Sequence, residues 1–353
     1  MKTHYVYPGT FCPPTFGHLD IALRAARIFP RLTIICSKND EKEKNWFTPD
    51  ECKDLWQHYE IPKNIEVMTL AEFKTILTKN DNIIMIRGLR DVADFETEKQ
   101  VMFHNHLEFK INNFFYIFGD EKHQNISSST VRKNIVNFNL ESLAVQISPL
   151  VATACLEKIL NAKNIFMVVG RPGGGKSTFL KMLEEIDKQN YHINTDNFNH
   201  QLKPLLKKIF GEEDLFKIAI TNEASMKKII ATPWLSLLSA SLKSSPTNSN
   251  IFVEIPYGLQ ADKLMFRFIG GKVIYIGCGN KTENKKRIIA RGTPQLLSFI
   301  DKIPDKKNSQ KIIKHYRLSA NYINTDCPLS DLFEKAKMFN NLISGGQKNV
   351  YNF

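Results

Sequence analysis

A run of glycines followed by a lysine and two hydroxyl residues is the most specific chemical pattern in this chain of 353 residues. The run GRPGGGKST, 170–178, fits GxxxxGK[ST] and directly follows the apolar stretch IFMVV. In such a loop the backbone N–H groups bind phosphate, the lysine reaches the β- and γ-phosphates, and the serine hydroxyl binds Mg²⁺. The pattern predicts a site with Mg²⁺ as cofactor and ATP as substrate. Its residues are Gly170, Gly173, Gly174, Gly175, Lys176, Ser177 and Thr178, with Ser177 as the metal ligand.

Charged residues downstream of this loop suit phosphoryl transfer. Asp196 and Glu254 each follow an apolar segment, at the carboxyl end of a predicted parallel strand, where ligands bind in open α/β sheets. Asp196 would accept a proton from an acceptor hydroxyl or orient Mg²⁺, or it caps the following helix. Glu254 would help to position metal or substrate. Arg287 and Arg291 are four residues apart, which predicts one helical face and suits either a lid over the phosphates or a solvated surface.

A second phosphate-binding pattern lies at the N-terminus, in YPGTFCPPTFGHLDIALRAARIF, 7–29. Gly9 and Gly17 allow the backbone to approach a phosphate closely, next to Thr10. His18 comes at the start of an amphipathic helix, where the helix dipole favours an anion. An imidazole there would stabilise charge on phosphate oxygens without acting as a base. In this interpretation His18 is placed for phosphate chemistry and not for capping its helix, and Cys12 has no chemical role.

Alternating strand and helix patterns must position these residues. Apolar runs such as RLTIICS, NIEVMTL and NIIMIRG alternate with amphipathic segments in the first part of the chain, which predicts a doubly wound parallel sheet. A second such series starts at NIFMVVG, 164–170. We therefore predict an α/β protein with two domains, 1–160 and 161–353, and one helical segment, 140–162, that ends the first.

Composition excludes several classes of protein. The chain has 42% hydrophobic and 24% charged residues and no apolar run long enough to span a membrane, which predicts a cytoplasmic protein without a membrane partner. Six cysteines without a CxxC pair predict reduced, mostly buried thiols. The net charge of +12 is spread along the chain, which favours phosphate-binding pockets over a nucleic-acid partner.

The first domain resembles phosphopantetheine adenylyltransferase, a member of the HxGH nucleotidyltransferase superfamily. Besides the TxGH form at 15–18, it carries RGLRDVADFETE at 87–98 and ISSSTVR at 126–132, in the family's order across about 1–160. The resemblance implies a Rossmann-like doubly wound fold. It also implies transfer of AMP from ATP to 4′-phosphopantetheine, which gives dephospho-coenzyme A and pyrophosphate.

The resemblance also assigns roles to residues. His18, Thr10 and Lys42 would act on the reacting phosphates. The residues implied to bind ATP are Thr10, Phe11, His18, Gly88, Leu89, Arg90, Glu98, Ile126, Ser127, Ser128 and Ser129. Those implied to bind the acceptor are Thr10, Lys42, Arg87 and Asn105, with Lys44 as the alternative to Lys42. The sequence departs from the family at Cys12, where aspartate is usual, and also at Phe16, Lys74 and His106.

The second domain resembles dephospho-coenzyme A kinase, a P-loop kinase. The matching pieces are GRPGGGKST, TDNFNHQL, VEIPYG, the RxxxR pair and part of SANYINTDCPLSDL. The implied chemistry is phosphorylation of the 3′-hydroxyl of dephospho-coenzyme A, with Lys176 and Asp196 as catalytic residues and Arg287 and Arg291 on the ATP phosphates. Together the two resemblances predict a bifunctional enzyme of coenzyme A biosynthesis.

Other functions stay open at this point. A nicotinamide-nucleotide type of adenylyltransferase–kinase fusion has the same domain order, although RGLRDVADFE belongs to the pantetheine branch. A kinase of other specificity, or a non-catalytic ATP-responsive protein, would also carry these patterns. The expected partners are small molecules, namely ATP, phosphopantetheine and dephospho-coenzyme A; a homo-oligomer also stays open.

Overall fold

The computed structural model describes residues 2–38, 46–79, 81–90, 94–96, 98–99, 102, 113–213, 218, 234–255, 271–278, 281–292, 297–300, 310–311 and 319–345. The chain divides into two compact units, Met1–Val151 and Ala152–Phe353. Each unit contains one parallel five-stranded sheet with helices between the strands. The predicted α/β class, with two doubly wound units, is therefore confirmed.

The first unit places its N-terminal strand at the centre of the sheet, in the order β3-β2-β1-β4-β5. Val6 of β1 packs with Ile35, Phe73 and Met85 from neighbouring elements. Because all strands are parallel, their carboxyl ends open at one edge. The strands are β1 (Thr3–Gly9), β2 (Leu32–Cys36), β3 (Ile65–Thr69), β4 (Asn82–Leu89) and β5 (Asn113–Phe118). The helices are α1 (Phe16–Ile28), α2 (Pro49–Trp56), α3 (Leu70–Ile76), α4 (Ser128–Val136), α5 (Leu140–Leu143) and α6 (Pro149–Leu160), which runs on into the second unit.

Threonine caps fix the start of the first three helices. Thr15, Thr48 and Thr69 each accept the backbone N–H three residues on, and the third helical residue bonds back to the cap's N–H. In α1 that third residue is His18. The expectation that His18 has no capping role is therefore wrong, because its ring nitrogen takes the place that glutamate has in α2 and α3.

The second unit has the strand order β10-β9-β6-β8-β7, again all parallel. Its strands are β6 (Asn164–Val169), β7 (Asn190–Asn194), β8 (Asn250–Glu254), β9 (Lys272–Gly277) and β10 (Ser319–Asn324). Its remaining helices are α7 (Lys176–Ile186), α8 (Asp196–Phe210), α9 (Leu235–Lys243), α10 (Lys281–Ala290), α11 (Leu297–Ile300) and α12 (Leu329–Ser344). Phe166, Phe179, Phe252 and Phe339 form the centre of a core between the sheet, α7 and α12.

The segment 140–162 differs from its prediction. It contains two helices, α5 and α6, with an interruption before Pro149, the first residue of α6. Proline fits the first helical position because it needs no backbone donor there. All six cysteines are free thiols, and five of them are buried. None of the helices in the described ranges combines the length and the apolar character that a bilayer crossing requires.

Candidate active sites

The glycine-rich run forms the turn between β6 and α7, as its pattern predicts. Gly170 has a φ of +149°, and a Cβ there would lie 1.8 Å from the carbonyl oxygen of Ile276 on β9. Only glycine fits where two backbones approach this closely. Lys176 is the first residue of α7, and its Nζ donates to the carbonyl oxygens of Gly170 at 3.0 Å and of Arg171 at 3.4 Å. Lys176 is thus folded back over the loop, where a phosphate would lie.

Glu254 joins the loop to the neighbouring strands through one buried carboxylate. Its oxygens lie 3.1 and 3.2 Å from Ser177 Oγ, which donates to them, and 3.9 Å from Lys176 Nζ. Nε2 of His192, on β7, lies 3.0 Å from Oε2. Burial raises the pKa of Glu254, but His192, Lys176 and Ser177 outweigh it, so the pKa lies below its ordinary value. The carboxylate is therefore anionic at neutral pH.

Asp196 is the first residue of α8, one past the N-cap residue Thr195. The alternative that Asp196 caps this helix is therefore wrong. Its pKa is raised by desolvation and by the charge of Glu254, against the opposing effect of Lys176 and His192. Two carboxylates that influence each other beside a lysine suit a site that holds a proton or a cation.

The residues around the loop fit Mg²⁺ by their chemistry. Ser177, Asp196 and Glu254 offer hydroxyl and carboxylate oxygens, the donors that Mg²⁺ prefers, and Mg²⁺ commonly takes its other ligands from phosphates and water. Within the described ranges, no group of three or more His, Cys, Asp or Glu side chains is arranged to hold a metal ion.

The two arginines of the RxxxR pair lie differently. Arg287, in the last turn of α10, donates to Glu283 at 3.2 Å and to the carbonyl oxygen of Thr325 at 3.2 Å. Thr325 in turn donates through Oγ1 to Gly174 O at 2.8 Å, so Arg287 is anchored beside the loop. Arg291 lies just past the end of α10, in the turn closed by Gly292 at φ +70°. The backbone N–H of Arg291 still donates to Arg287 O at 3.2 Å, so the two arginines keep the one-turn spacing that the sequence predicts, and the lid over the phosphates and the solvated surface both stay predictions.

In the first unit, a cleft of ≈ 1340 Å³ opens at the carboxyl edge of the sheet. It brings together the described residues that the sequence assigns to ATP and the acceptor. These are Thr10, Phe11, His18, Arg87, Gly88, Leu89, Arg90, Glu98, Ile126, Ser127, Ser128 and Ser129. The predictions for Lys42, with its alternative Lys44, and for Asn105 and His106 fall outside the described residues.

His18 lies in this cleft with a defined hydrogen bond. Its Nδ1 accepts the backbone N–H of Thr15 at 3.0 Å, and the Thr15 hydroxyl also lies 3.0 Å away. A ring nitrogen that accepts a backbone N–H carries no proton, so the neutral imidazole is protonated at Nε2. Phe11 packs edge-on against the ring at 5.1 Å between centroids. The ring is therefore held in orientation and presents an N–H donor.

The start of α4 closes another side of the cleft against the β1–α1 loop. Ser127 caps α4, and Ser128 Oγ donates to the carbonyl oxygen of Pro13 at 2.8 Å. Arg132, one turn further, donates to Cys12 O at 2.5 Å and to Ser129 Oγ at 3.1 Å. The serines and the histidine segment are thus joined directly, although more than a hundred residues separate them in the sequence.

Ion pairs neutralise the two arginines of β4 and the loop after it. Arg87 binds Glu98 through two N–H groups, each at 2.6 Å, and its Nη1 donates to Pro8 O at 3.1 Å. Arg90 forms a similar double contact with Asp94 at 2.8 Å. Such fork-to-carboxylate geometry is the one that arginine also uses for phosphate. Each arginine is therefore oriented in advance for an anion.

A cytidylyltransferase-like family model matches residues 6–134, which lie within the first unit. Phosphopantetheine adenylyltransferase of Campylobacter hominis is 37% identical over 136 residues, which cover 37% of this chain and 84% of that protein. Through its first unit, the chain belongs to the phosphopantetheine adenylyltransferase family. The Campylobacter jejuni adenylyltransferase is 34% identical over 140 residues, with the same shares covered. Among solved structures, TT1252 from Thermus thermophilus has 21% identity and a TM-score of 0.36, over 50% of this chain and 95% of that one.

Cys12, one of the departures from the adenylyltransferase pattern, is a buried thiol in the loop between β1 and α1. A hydrogen bond from Cys52 lowers its pKa most, backbone N–H groups of Phe47 and Trp46 add to this, and burial opposes it; the result is a pKa of about 6. The Cys52 thiol and the backbone N–H groups therefore stabilise the thiolate form of Cys12.

Lys74 is another departure from the adenylyltransferase pattern, and it lines the cleft. It is exposed on α3 and lines the cleft together with the apolar side chains of Phe73 and Leu77. The cleft therefore carries a cationic side chain beside apolar ones at this end of α3.

Sequence reasoning missed His192 and gave no role of its own to Arg132. His192 was one histidine inside a short strand. It becomes informative only once β7 is paired with β8, because that register sets His192 opposite Phe252 and Asn194 opposite Glu254. His192 and Glu254 are then diagonal neighbours on one face of the sheet.

Arg132 was visible as the last residue of ISSSTVR, a motif interpreted only through its serines.

Proposed function

We propose that the chain is a bifunctional enzyme of coenzyme A biosynthesis. The first unit transfers AMP from ATP to 4′-phosphopantetheine, and the second phosphorylates the 3′-hydroxyl of the dephospho-coenzyme A that results. The observation that carries the first activity is the orientation of His18 by Thr15 in a cleft shared with Ser127–Ser129. Family membership supports the same activity.

In the first step a phosphate oxygen of the acceptor attacks the α-phosphorus of ATP, and pyrophosphate leaves. His18 donates its Nε2 proton as a hydrogen bond to the α-phosphate oxygens, whose charge grows in the transition state. The N–H and hydroxyl groups at the start of α4 bind the other ATP phosphates. Arg87 holds the acceptor phosphate, and Thr10 contacts the reacting groups. Positioning and charge stabilisation supply the catalysis, without a covalent intermediate.

In the second step the 3′-hydroxyl attacks the γ-phosphorus of a second ATP, and ADP leaves. Asp196 accepts the hydroxyl proton, a role that its raised pKa supports. Lys176 and the loop N–H groups bind the β- and γ-phosphates, and Arg287 lies beside them. Mg²⁺, held by Ser177, would neutralise phosphate charge when bound. The glycine-rich geometry and the carboxylate pair support a kinase; its acceptor rests on the motif resemblance.

Mass spectrometry of the products tests both steps at once. Phosphopantetheine, ATP and Mg²⁺ should give dephospho-coenzyme A and then the 3′-phosphorylated product. Lys176→Ala should stop at dephospho-coenzyme A. Adenylylation of nicotinamide mononucleotide alone would support the nicotinamide-nucleotide type instead. Turnover to dephospho-coenzyme A with no further phosphorylation would reject the kinase acceptor, and no turnover of either acceptor would indicate a non-catalytic protein.

A further inference from the structure

His192 is a largely buried histidine that the proposed chemistry does not use. Its side chain is 10% exposed and lies on β7, on the sheet face that carries Phe252 and Glu254. A histidine this buried beside a carboxylate has a specific environment, since an ionisable side chain is rarely placed inside a protein without a partner. Its Nε2 lies 3.0 Å from Oε2 of Glu254, an ion-pair contact without regular hydrogen-bond geometry.

The Glu254 carboxylate has contacts on two sides. Ser177 Oγ approaches from the loop, within 3.2 Å of both oxygens, and His192 approaches Oε2 from β7. A carboxylate attached through a flexible side chain needs contacts on more than one side to keep one orientation. Without His192, rotation of Glu254 would carry its oxygens away from Ser177 or toward Lys176.

We infer that His192 is a positioning residue for the Mg²⁺-nucleotide, acting through Glu254. The imidazole fixes the carboxylate, the carboxylate fixes the Ser177 hydroxyl, and the hydroxyl is thereby aimed at the place where the cation binds. This inference rests on the proposed nucleotide site but not on the identity of the kinase acceptor. Removal of a residue that holds a metal ligand in place commonly changes the affinity for the metal by about 10- to 100-fold.

Calorimetric titration with ADP tests the inference without turnover. The quantity of interest is the ratio of the ADP Kd in EDTA to its Kd in excess Mg²⁺. Leucine has about the volume of histidine but no polar atom, so His192→Leu should lower this ratio by about tenfold or more while binding in EDTA stays unchanged. His192→Gln places an N–H near the position of Nε2 and should restore most of the ratio.

Matched variants separate positioning from structure. Tyr191→Leu changes the neighbouring residue of β7, whose side chain points to the other face of the sheet, and should leave the ratio unchanged. Should His192→Leu not fold, His192→Asn keeps polarity but is too short to reach Glu254, and it should show the same loss.

The titrations distinguish a failure of the inference about His192 from a failure of the proposed function. A wild-type chain that binds no ADP would reject the nucleotide site itself. A wild-type chain with a Mg²⁺-dependent ratio that His192→Leu or His192→Asn retains within about twofold would overturn the role of His192 alone. Equal loss in the Leu, Gln and Tyr191→Leu variants would also overturn it, because it would indicate a general defect of β7.

Discussion

His18 combines a helix-capping contact with a place in the cleft where phosphate chemistry is proposed. Its Nδ1 completes the cap of α1 with Thr15, which leaves the ring proton on Nε2 in the cleft. The capping contact therefore selects the tautomer that can donate to a phosphate. In many catalytic histidines a carboxylate fixes the tautomer and orientation of the ring. In His18 the backbone N–H of Thr15 fixes them instead.

Substitution at Thr15 and His18 should separate these two effects. His18→Ala should lower kcat for adenylyl transfer by about 10²–10³-fold, because a preorganised donor is lost. Thr15→Ala keeps the backbone N–H that binds Nδ1, so we expect less than a tenfold fall in kcat but a loss of about 1 kcal/mol of stability from the missing cap. Pyrophosphate release and thermal denaturation measure the two quantities. A Thr15→Ala chain as inactive as His18→Ala would contradict this division of roles.

Asp81 should make the first unit sensitive to acid. It accepts the backbone N–H groups of Lys2 at 3.0 Å and Thr78 at 3.1 Å and lies 3.1 Å from His4 Nε2, which lowers its pKa. A carboxylate with a lowered folded pKa stabilises the fold above its unfolded pKa of about 4, and this stabilisation is lost as the pH falls below that value.

Asp81→Asn should therefore lower Tm at pH 7, and the difference from wild type should shrink between pH 5 and pH 2. Thermal denaturation followed by circular dichroism across this range measures it. Asp54→Asn, at an exposed position on α2, is the matched control and should show little change at any pH. A Tm deficit of equal size at pH 7 and pH 2 would argue against the linkage.

At the scale of elements, the turn between β6 and α7 depends on backbone approach. Gly170→Ala would place a Cβ 1.8 Å from Ile276 O, so the loop must move away from β9. Gly211 is the matched control, because it also has a positive φ, +70°, but has no atom within 4 Å of its added Cβ. Gly211→Ala should cost only the left-handed conformation, about 1 kcal/mol.

Gly170→Ala should therefore abolish ADP binding, while Gly211→Ala retains it within about twofold. Calorimetric titration measures binding, and adenylyl transfer by the first unit reports that the rest of the chain is intact. Equal ADP affinity in both variants would mean that the close approach to β9 does not shape the loop.

Element order and type could be predicted from the sequence, since apolar runs and turn residues alternate clearly. The spacing in GRPGGGKST and TFGH also located Lys176 and His18. The pairs Arg87–Glu98 and His192–Glu254 could not be predicted in this way, because each depends on how strands and loops meet in three dimensions. The cap at Thr15 was missed because histidine replaces the usual glutamate.

At the scale of the whole molecule, each unit has its own parallel sheet and its own core. A substitution in one site should therefore leave the other site working. The proposed product of the first unit is the substrate of the second, so separate molecules should be able to share the work.

A mixture of His18→Ala and Lys176→Ala chains should form the 3′-phosphorylated product from phosphopantetheine and ATP, after a lag while dephospho-coenzyme A accumulates. Neither variant alone should form it. Mass spectrometry over time measures the intermediate and the product. An accumulated intermediate that the mixture never phosphorylates would show that the two sites must act within one chain.

The Arg87–Glu98 pair has a consequence for how the acceptor enters. Glu98 already occupies the guanidinium with one negative charge, so acceptor binding to Arg87, as proposed above, would be an exchange of anions. A phosphate monoester carries nearly two charges above its second pKa of about 6 and only one below it. The Kd of the acceptor, measured by calorimetry, should therefore rise as the pH is lowered from 7.5 to 5.5. Affinity for the cleft should therefore depend on the charge of the ligand. A monoanion of the same shape has little advantage over the Glu98 carboxylate that it must displace.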